Sequence, residues 1–261
     1  MLRAVSRLPI VRDAAEVAYD RHFERAEGRL RLFRGIYPDF ASAVAAIPPG
    51  RDVGYDNAAS ARRLLDEQDA VVPADYPALF WLDRLLKNAR VLFDWGGYIG
   101  TTYLTYRKYL NYSPGLEWIV KDVPAVVELG RQISVSESLP GLHFTIGFER
   151  LGEADILLAA GSLQFIEDPF GPLERAPTLP RYVLVNKTPL HDRGAAVTLQ
   201  NLGTAIAPYH LFNRKAFTER FAALGYEAID AWTSPGLGCD IPFHRDYSIV
   251  AFSGFLFEQR S

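Results

Sequence analysis

Val91-Leu92-Phe93-Asp94-Trp95-Gly96-Gly97-Tyr98-Ile99-Gly100 is the stretch on which the reading of the chain turns. An apolar run ends in an acid, glycines follow, and a helix is predicted over 101–110. In a doubly wound sheet the ligand sits at the carboxyl ends of the strands. Glycines there let the backbone turn tightly and let a ligand approach it closely. The dinucleotide pattern G-x-G-x-x-G fails: counted from Gly96 it meets Tyr98 and Thr101, and from Gly97 it meets Ile99 and Thr102. The phosphate-loop pattern fails too, because Thr101 follows Gly100 with no lysine. What remains is an acid followed by glycines two and six positions on.

Outward from this turn the chain alternates. Short apolar runs at 90–93, 116–120, 142–146, 155–160 and 181–186 read as strands, with helices predicted at 124–134 and 213–224 and Asn213 as an N-cap. Two further runs, 226–232 and 247–257, have no helix between them, which predicts an antiparallel finish. The expected fold is α/β, doubly wound, with seven mostly parallel strands and an antiparallel last strand. Residues 11–34 read as one charged helix, and further helices are predicted at 40–47, 58–66 and 76–88. No strand is expected before residue 90. The expected division is therefore a helical cap or dimerisation region over 1–88 and a sheet domain over 89–261.

The chain has 261 residues and a formal net charge of -3. That balance argues against broad electrostatic capture of nucleic acid or of an anionic membrane. No run approaches the roughly 18 apolar residues of a membrane span. Arg3, Arg7 and Arg12 make the start basic, but they interrupt any apolar segment of secretory type, so a cytoplasmic protein is expected. Cys239 is the one cysteine, which excludes an intrachain disulfide and a cysteine zinc cluster. No metal site is expected. Aromatic residues make up 13% of the chain. Phe93, Phe252, Phe255 and Phe257 fall on strands and read as core. Trp95, Tyr98, Tyr103, Phe148, Tyr209 and Phe212 fall at strand ends and turns, where they would line a cleft.

The glycine turn resembles the first motif of class I S-adenosylmethionine-dependent methyltransferases, D/E-x-G-x-G-x-G, with Tyr98 in place of the middle glycine. Further runs carry the resemblance: Gly54-Tyr55-Asp56-Asn57, Tyr76-Pro77-Ala78-Leu79-Phe80-Trp81-Leu82, Gly161-Ser162-Leu163-Gln164, Asn186-Lys187-Thr188-Pro189-Leu190-His191 and Pro208-Tyr209-His210-Leu211-Phe212-Asn213. Over about residues 33–257 they look like a bacterial methyltransferase family found among polysaccharide and surface-antigen biosynthesis genes. The resemblance implies a Rossmann-like fold and S-adenosyl-L-methionine as cofactor. It implies that Asp94 serves the methionine amino group, directly or through water. Gly96, Gly97 and Gly100 would give the close backbone approach, and Tyr98 would narrow the site or lean away. Asp122, 22 residues past Gly100, is placed to accept from the ribose hydroxyls, or to cap the helix at Pro124, with Val123 beside it. Phe148 and Glu149 fall where this fold holds the adenine. Gly161, Ser162 and Gln164 fall where it meets the methionine part.

Methyl transfer to a hydroxyl requires alignment of the acceptor and removal of a proton. Histidine suits the second task. His22 and His143 read as structural, whereas His191, His210 and His244 all follow the fifth strand. His191 is expected to face the cleft as general base. Asn186, Lys187 and Thr188 end that strand. The long segment 188–212, with Gln200 and Asn201, is expected to form one wall of an acceptor site. The N-terminal helices, with Tyr55, Tyr76 and Trp81, would form the other wall or a homodimer contact. The expected activity is O-methylation of a small-molecule or sugar acceptor. The signature Asn/Asp-Pro-Pro-Tyr/Phe of N-methyltransferases is absent, and Gly161-Ser162-Leu163-Gln164 stands in its place. The alternative is a non-catalytic protein that keeps the fold with a degenerate cofactor site. A nucleotide-linked dehydrogenase is disfavoured by the failed spacing.

Overall fold

The computed structural model describes residues 9–27, 31–63, 70–234 and 236–260. The basic residues Arg3 and Arg7, and the last part of the helix expected over 58–66, lie outside them. The elements run α1 (Pro9–Arg25), β1 (Leu32–Tyr37), α2 (Phe40–Ala45), α3 (Ala58–Arg63) and α4 (Tyr76–Leu85). Next come β2 (Val91–Trp95), α5 (Thr101–Tyr106), β3 (Glu117–Lys121), α6 (Pro124–Ser136), β4 (Leu142–Thr145), β5 (Ile156–Ala160) and α7 (Gly171–Arg175). The last third contains β6 (Tyr182–Thr188), β7 (Leu190–His191), β8 (Ala196–Asn201), β9 (Ile206–Asn213), α8 (Arg214–Ala223), β10 (Tyr226–Ser234) and β11 (Phe252–Gln259).

Seven strands form one sheet in the order β10-β11-β6-β5-β2-β3-β4. β4, β3, β2, β5 and β6 are mutually parallel, and β11 lies antiparallel between β6 and β10. Successive strands are added outward from β2 on one side and from β5 on the other, which makes the carboxyl ends of these two parallel strands the switch point where a crevice opens. Both faces are covered, so successive residues enter different cores. Leu92, Trp118, Val120, Ile156 and Leu158 pack on one side; Phe93, Ile119 and Leu157 pack on the other. This is the α/β sheet expected from the sequence, with its antiparallel finish.

Two expectations are corrected. A strand, β1, precedes residue 90 and takes the end, 32–34, of the stretch read as helix over 11–34. And the segment 188–212 is not a loop: it contains β8 and β9, which join β1 and β7 in a second sheet of order β1-β8-β9-β7. β1 was hidden because Gly35 takes a φ of 69° and the pairing register slips between Arg34 and Tyr37. Such a bulge breaks the alternation by which strands are recognised. Its partner fixes it instead, with Leu32 opposite Asn201 and Arg34 opposite Leu199. Phe33, Tyr209, Leu211, Ile241 and Phe252 fill one side of this second sheet; Phe23, Ala43, Val197, Leu199 and Ile206 fill the other. The last strand begins at Phe252 rather than at 247, where a single 3-10 turn, Arg245–Tyr247, stands. Asn213 caps α8 as expected, its side chain accepting from the Ala216 N–H at 2.8 Å.

Candidate functional site

The glycine turn joins β2 to α5 directly beside the switch point. Gly96 and Gly100 have φ of 79° and 86°, the left-handed region that favours glycine. Tyr98, between them, also has a positive φ, 55°. Each glycine is required by its neighbours as well. A Cβ on Gly96 would overlap Ser162 Cβ, one on Gly97 would overlap the Asp94 carboxylate, and one on Gly100 would come within 2.8 Å of Leu142 Cδ2. Ser162 in turn donates from its hydroxyl to the Trp95 carbonyl, tying the loop after β5 to the end of β2.

Asp94 lies beneath this turn and is 1% exposed. Its Oδ2 accepts from Trp118 Nε1 at 3.0 Å, and its Oδ1 has no hydrogen-bond partner. Burial raises its pKa to about 7 against the hydrogen bond from Trp118, and the Asp122 charge adds to the rise. The sign of the consequence follows. Between the ordinary carboxylate value and about 7, the folded chain holds a proton that the unfolded chain has released, so stability falls as pH rises through that window. Asp94→Asn should therefore melt above the unmodified protein at pH 8, with the gap closing towards pH 5. A gap of equal size at both pH values would remove the buried charge as its cause.

Two cavities open at the strand ends. The smaller, about 270 Å³, is lined by Gly96, Asp122, Val123 and Ser162, with Trp95 and Asp56. The larger, about 600 Å³, lies between the two sheets and takes Gln164 and Lys187 from one side and Phe33, Gln200 and Tyr209 from the other. Tyr55, Tyr98, Gly161 and Phe165 line both and so form their shared wall. Tyr55 stands edge-on to Tyr98 at 5.5 Å and to Phe165 at 5.0 Å.

Asp122 is not a helix cap, because Val123 occupies the N-cap position of α6. Its two oxygens accept from the backbone N–H of Tyr98 at 2.9 Å and of Val123 at 2.8 Å. Burial pushes its pKa up to about 6 in spite of those bonds. Of the residues expected at a cofactor, Gly96, Tyr98, Asp122, Val123, Gly161 and Ser162 line the smaller cavity. Gln164 lines the larger one, with Tyr98 and Gly161 shared. Asp94, Gly97, Gly100, Phe148 and Glu149 line neither. Phe148 packs on Phe93 and Trp95, with the Lys121 ammonium 5.0 Å from its ring centre, and Glu149 is exposed.

The three histidines are not brought to these cavities. His191 Nδ1 accepts from the Arg193 N–H at 3.1 Å, which leaves Nε2 to donate to the Asp246 carbonyl at 2.7 Å, and its ring stacks on Tyr247. It bridges loops rather than facing the cleft. His210 sits between Phe40 and Phe212, and burial lowers its pKa. His244 lines a separate cleft with Tyr19 and Arg34. Gln200 and Asn201 of β8 line the larger cavity, as does Tyr55, whereas Trp81 donates to Asp230 on β10 and Tyr76 is exposed. Of the rings expected at a cleft, Trp95, Tyr98 and Tyr209 line the cavities, and so does Phe252, expected as core.

Sequence reasoning did not assign Lys187 a role. It is the penultimate residue of β6, has a φ of 55° and places Nζ 2.5 Å from Asp75 Oδ1 at the larger cavity. Asp75 is buried; it also accepts from the Tyr106 hydroxyl at 2.7 Å and the Val72 N–H at 3.0 Å. The available signal was Lys187's position at a strand's carboxyl end; its partner lies 112 positions away in the chain. Among the described residues no group of His, Cys, Asp and Glu could hold a metal ion, and no helix is long and apolar enough to cross a membrane.

No family model and no curated protein matches the chain. Solved structures do. A 1,6-didemethyltoxoflavin-N1-methyltransferase of Burkholderia thailandensis, with bound 1,6-didemethyltoxoflavin and S-adenosylhomocysteine, aligns at TM-score 0.52 and 13% identity over 78% of this chain and 84% of that one. The chain has a methyltransferase fold. A protein of Pyrococcus horikoshii OT3 aligns at TM-score 0.51 and 10% identity, covering 83% and 98% of the two chains. At such identities the shared property is the fold.

Proposed function

We propose that this methyltransferase fold transfers a methyl group from S-adenosylmethionine to a hydroxyl of a small-molecule or sugar acceptor. The supporting observation is the pair of cavities that meet at Tyr98 and Gly161, with the Asp122 carboxylate on the smaller. The residues there fit the cofactor's nucleoside. Each Asp122 oxygen takes one backbone N–H and keeps a lone pair for a ribose hydroxyl. Trp95 Nε1, buried with no partner, offers a donor beside it. When bound, S-adenosylmethionine supplies an electrophilic methyl group on a sulfonium.

On this reading Gly161 presents bare backbone at the seam, where its φ of 81° disfavours a side chain. The Lys187 ammonium, ion-paired with Asp75, keeps N–H bonds with which to hold the acceptor oxygen, and the proton that leaves the hydroxyl passes to water. The three histidines have no place in that step. The resemblance to a polysaccharide-linked family keeps a sugar among the acceptors. Calorimetry with S-adenosylhomocysteine tests the reading: a dissociation constant in the micromolar range supports it, and no heat at about 1 mM overturns it.

A second reading, a binding or assembly protein with a closed cofactor site, draws on Tyr98. A tyrosine at φ 55° costs roughly 1–2 kcal/mol that glycine avoids. We expect Tyr98→Gly to melt within a few degrees of the unmodified protein and to bind S-adenosylhomocysteine several-fold more tightly. Binding gained only in the variant would favour the second reading.

A further inference from the structure

Resting on the methyltransferase reading, in which the larger cavity holds the acceptor, we infer that this chamber takes an uncharged hydroxylated ring whose donors are read by Gln164 and Gln200. Two observations carry this. The first is a pair of orphan acceptors. Gln164 is 4% exposed and donates from Nε2 to the Gly161 carbonyl at 2.8 Å. That bond fixes which end of the amide is oxygen. Its Oε1 accepts no hydrogen bond, although the Gln164 amide lies beside the Tyr209 hydroxyl. Gln200 Oε1, on β8, is likewise buried without a partner. Both side chains line the chamber. A buried acceptor left unmade costs roughly 1–3 kcal/mol, and a ligand O–H or N–H removes that cost. The amide oxygens accept and cannot donate, so an ether or an ester in the same place leaves them unsatisfied.

The second observation is the chamber's charge and shape. Lys187 is already paired with Asp75, so its cation is neutralised, and Arg31 stands exposed at the rim. The rings of Phe33, Tyr209, Phe165 and Tyr55 form a continuous edge-to-face series, with successive centres 5.2, 5.1 and 5.0 Å apart. Such a series offers flat apolar contact to a ring, and about 600 Å³ admits one or two fused rings. Aromatic and sugar rings share this chemistry, namely a flat or faced ring with several hydroxyls.

The test uses the full chain and three probes: 6,7-dihydroxycoumarin, its 6,7-dimethoxy counterpart, and methyl glucoside. A site built to bond hydroxyls rejects the analogue that lacks them. The dihydroxy probe should bind at least about 10-fold more tightly than the dimethoxy probe, and Gln200→Leu should reduce that ratio several-fold without changing S-adenosylhomocysteine affinity. Gln164→Leu should do the same if it folds; Gln200, half-buried on its strand, keeps the test decisive if it does not. Glucoside binding with the same dependence on Gln200 would support the inference and assign the ring to a sugar. Equal binding of the dihydroxy and dimethoxy probes, a ratio unaltered by Gln200→Leu, or no binding of either hydroxylated ring would overturn it. S-adenosylhomocysteine is titrated separately. Its failure to bind, with the coumarin ratio intact, would sink the methyltransferase reading and leave the chamber's chemistry standing.

Discussion

Asp122→Ala should weaken S-adenosylhomocysteine binding by roughly 100-fold or more while the protein stays folded. Hydrogen bonds to a charged group contribute about 1.5–3 kcal/mol each, and about 1.4 kcal/mol is tenfold in affinity. Two ribose hydroxyls on one carboxylate therefore account for the expected loss. The variant also releases the N–H groups of Tyr98 and Val123, which loosens the shared wall of the cavities. Asp122→Asn keeps one acceptor oxygen and should lose only about 10-fold by the same arithmetic. Protonation mimics this change: with the carboxyl raised to about 6, affinity in the unmodified protein should fall as pH drops below that value. Calorimetry at pH 8 and pH 5 reads both effects. A folded Asp122→Ala protein that binds as before would remove Asp122 from the cofactor site.

The second large effect concerns stability. Gly96→Ala meets two obstacles at once: a φ of 79° and a Cβ position already occupied by Ser162 Cβ. Left-handed strain costs roughly 1–2 kcal/mol and overpacking roughly 1–3, so a loss of about 3 kcal/mol is expected by chemical denaturation. Gly50→Ala is the matched control. Its φ is 82°, but nothing lies within 4 Å of the added methyl, so strain acts alone and the loss should be near 1 kcal/mol. Equal losses at the two positions would show that the Ser162 contact yields without cost.

The legible parts of this chain share one physical trait: the signal is local. Residues 91–93 and Ile156–Ala160 are buried by cover on both faces of the sheet, so they read as unbroken apolar runs. Gly96 and Asp122 were found because a strand, a turn and a second strand recur at fixed spacing. Asp94 was legible as an acid before glycines, but not as a carboxyl sealed beneath the turn, because its burial is imposed by Trp118 from the neighbouring strand. β1 and β8 were illegible for the same reason: β1 becomes a strand through β8, and β8 through β1 and β9. The histidines show the limit from the opposite side. Their side-chain type pointed to proton transfer, yet His191 is held by Arg193 and Asp246, contacts that no spacing rule encodes. Lys187 was the reverse case, an unremarked residue given its position by Asp75.

The pairing of β1 with β8 also sets a schedule. Leu32 meets Asn201, and Phe33, a wall of the larger cavity, stands opposite Gln200. At synthesis rates of roughly 5–20 residues per second, the early strand waits about 10–30 s for its partner to be made. During that interval the hydrogen-bonding edges of residues 32–37 are unpaired and Phe33 has no core to enter. The chamber can close only after most of the chain has been translated. On a ribosome, the wall that Phe33 gives the chamber settles only after β8 has been made.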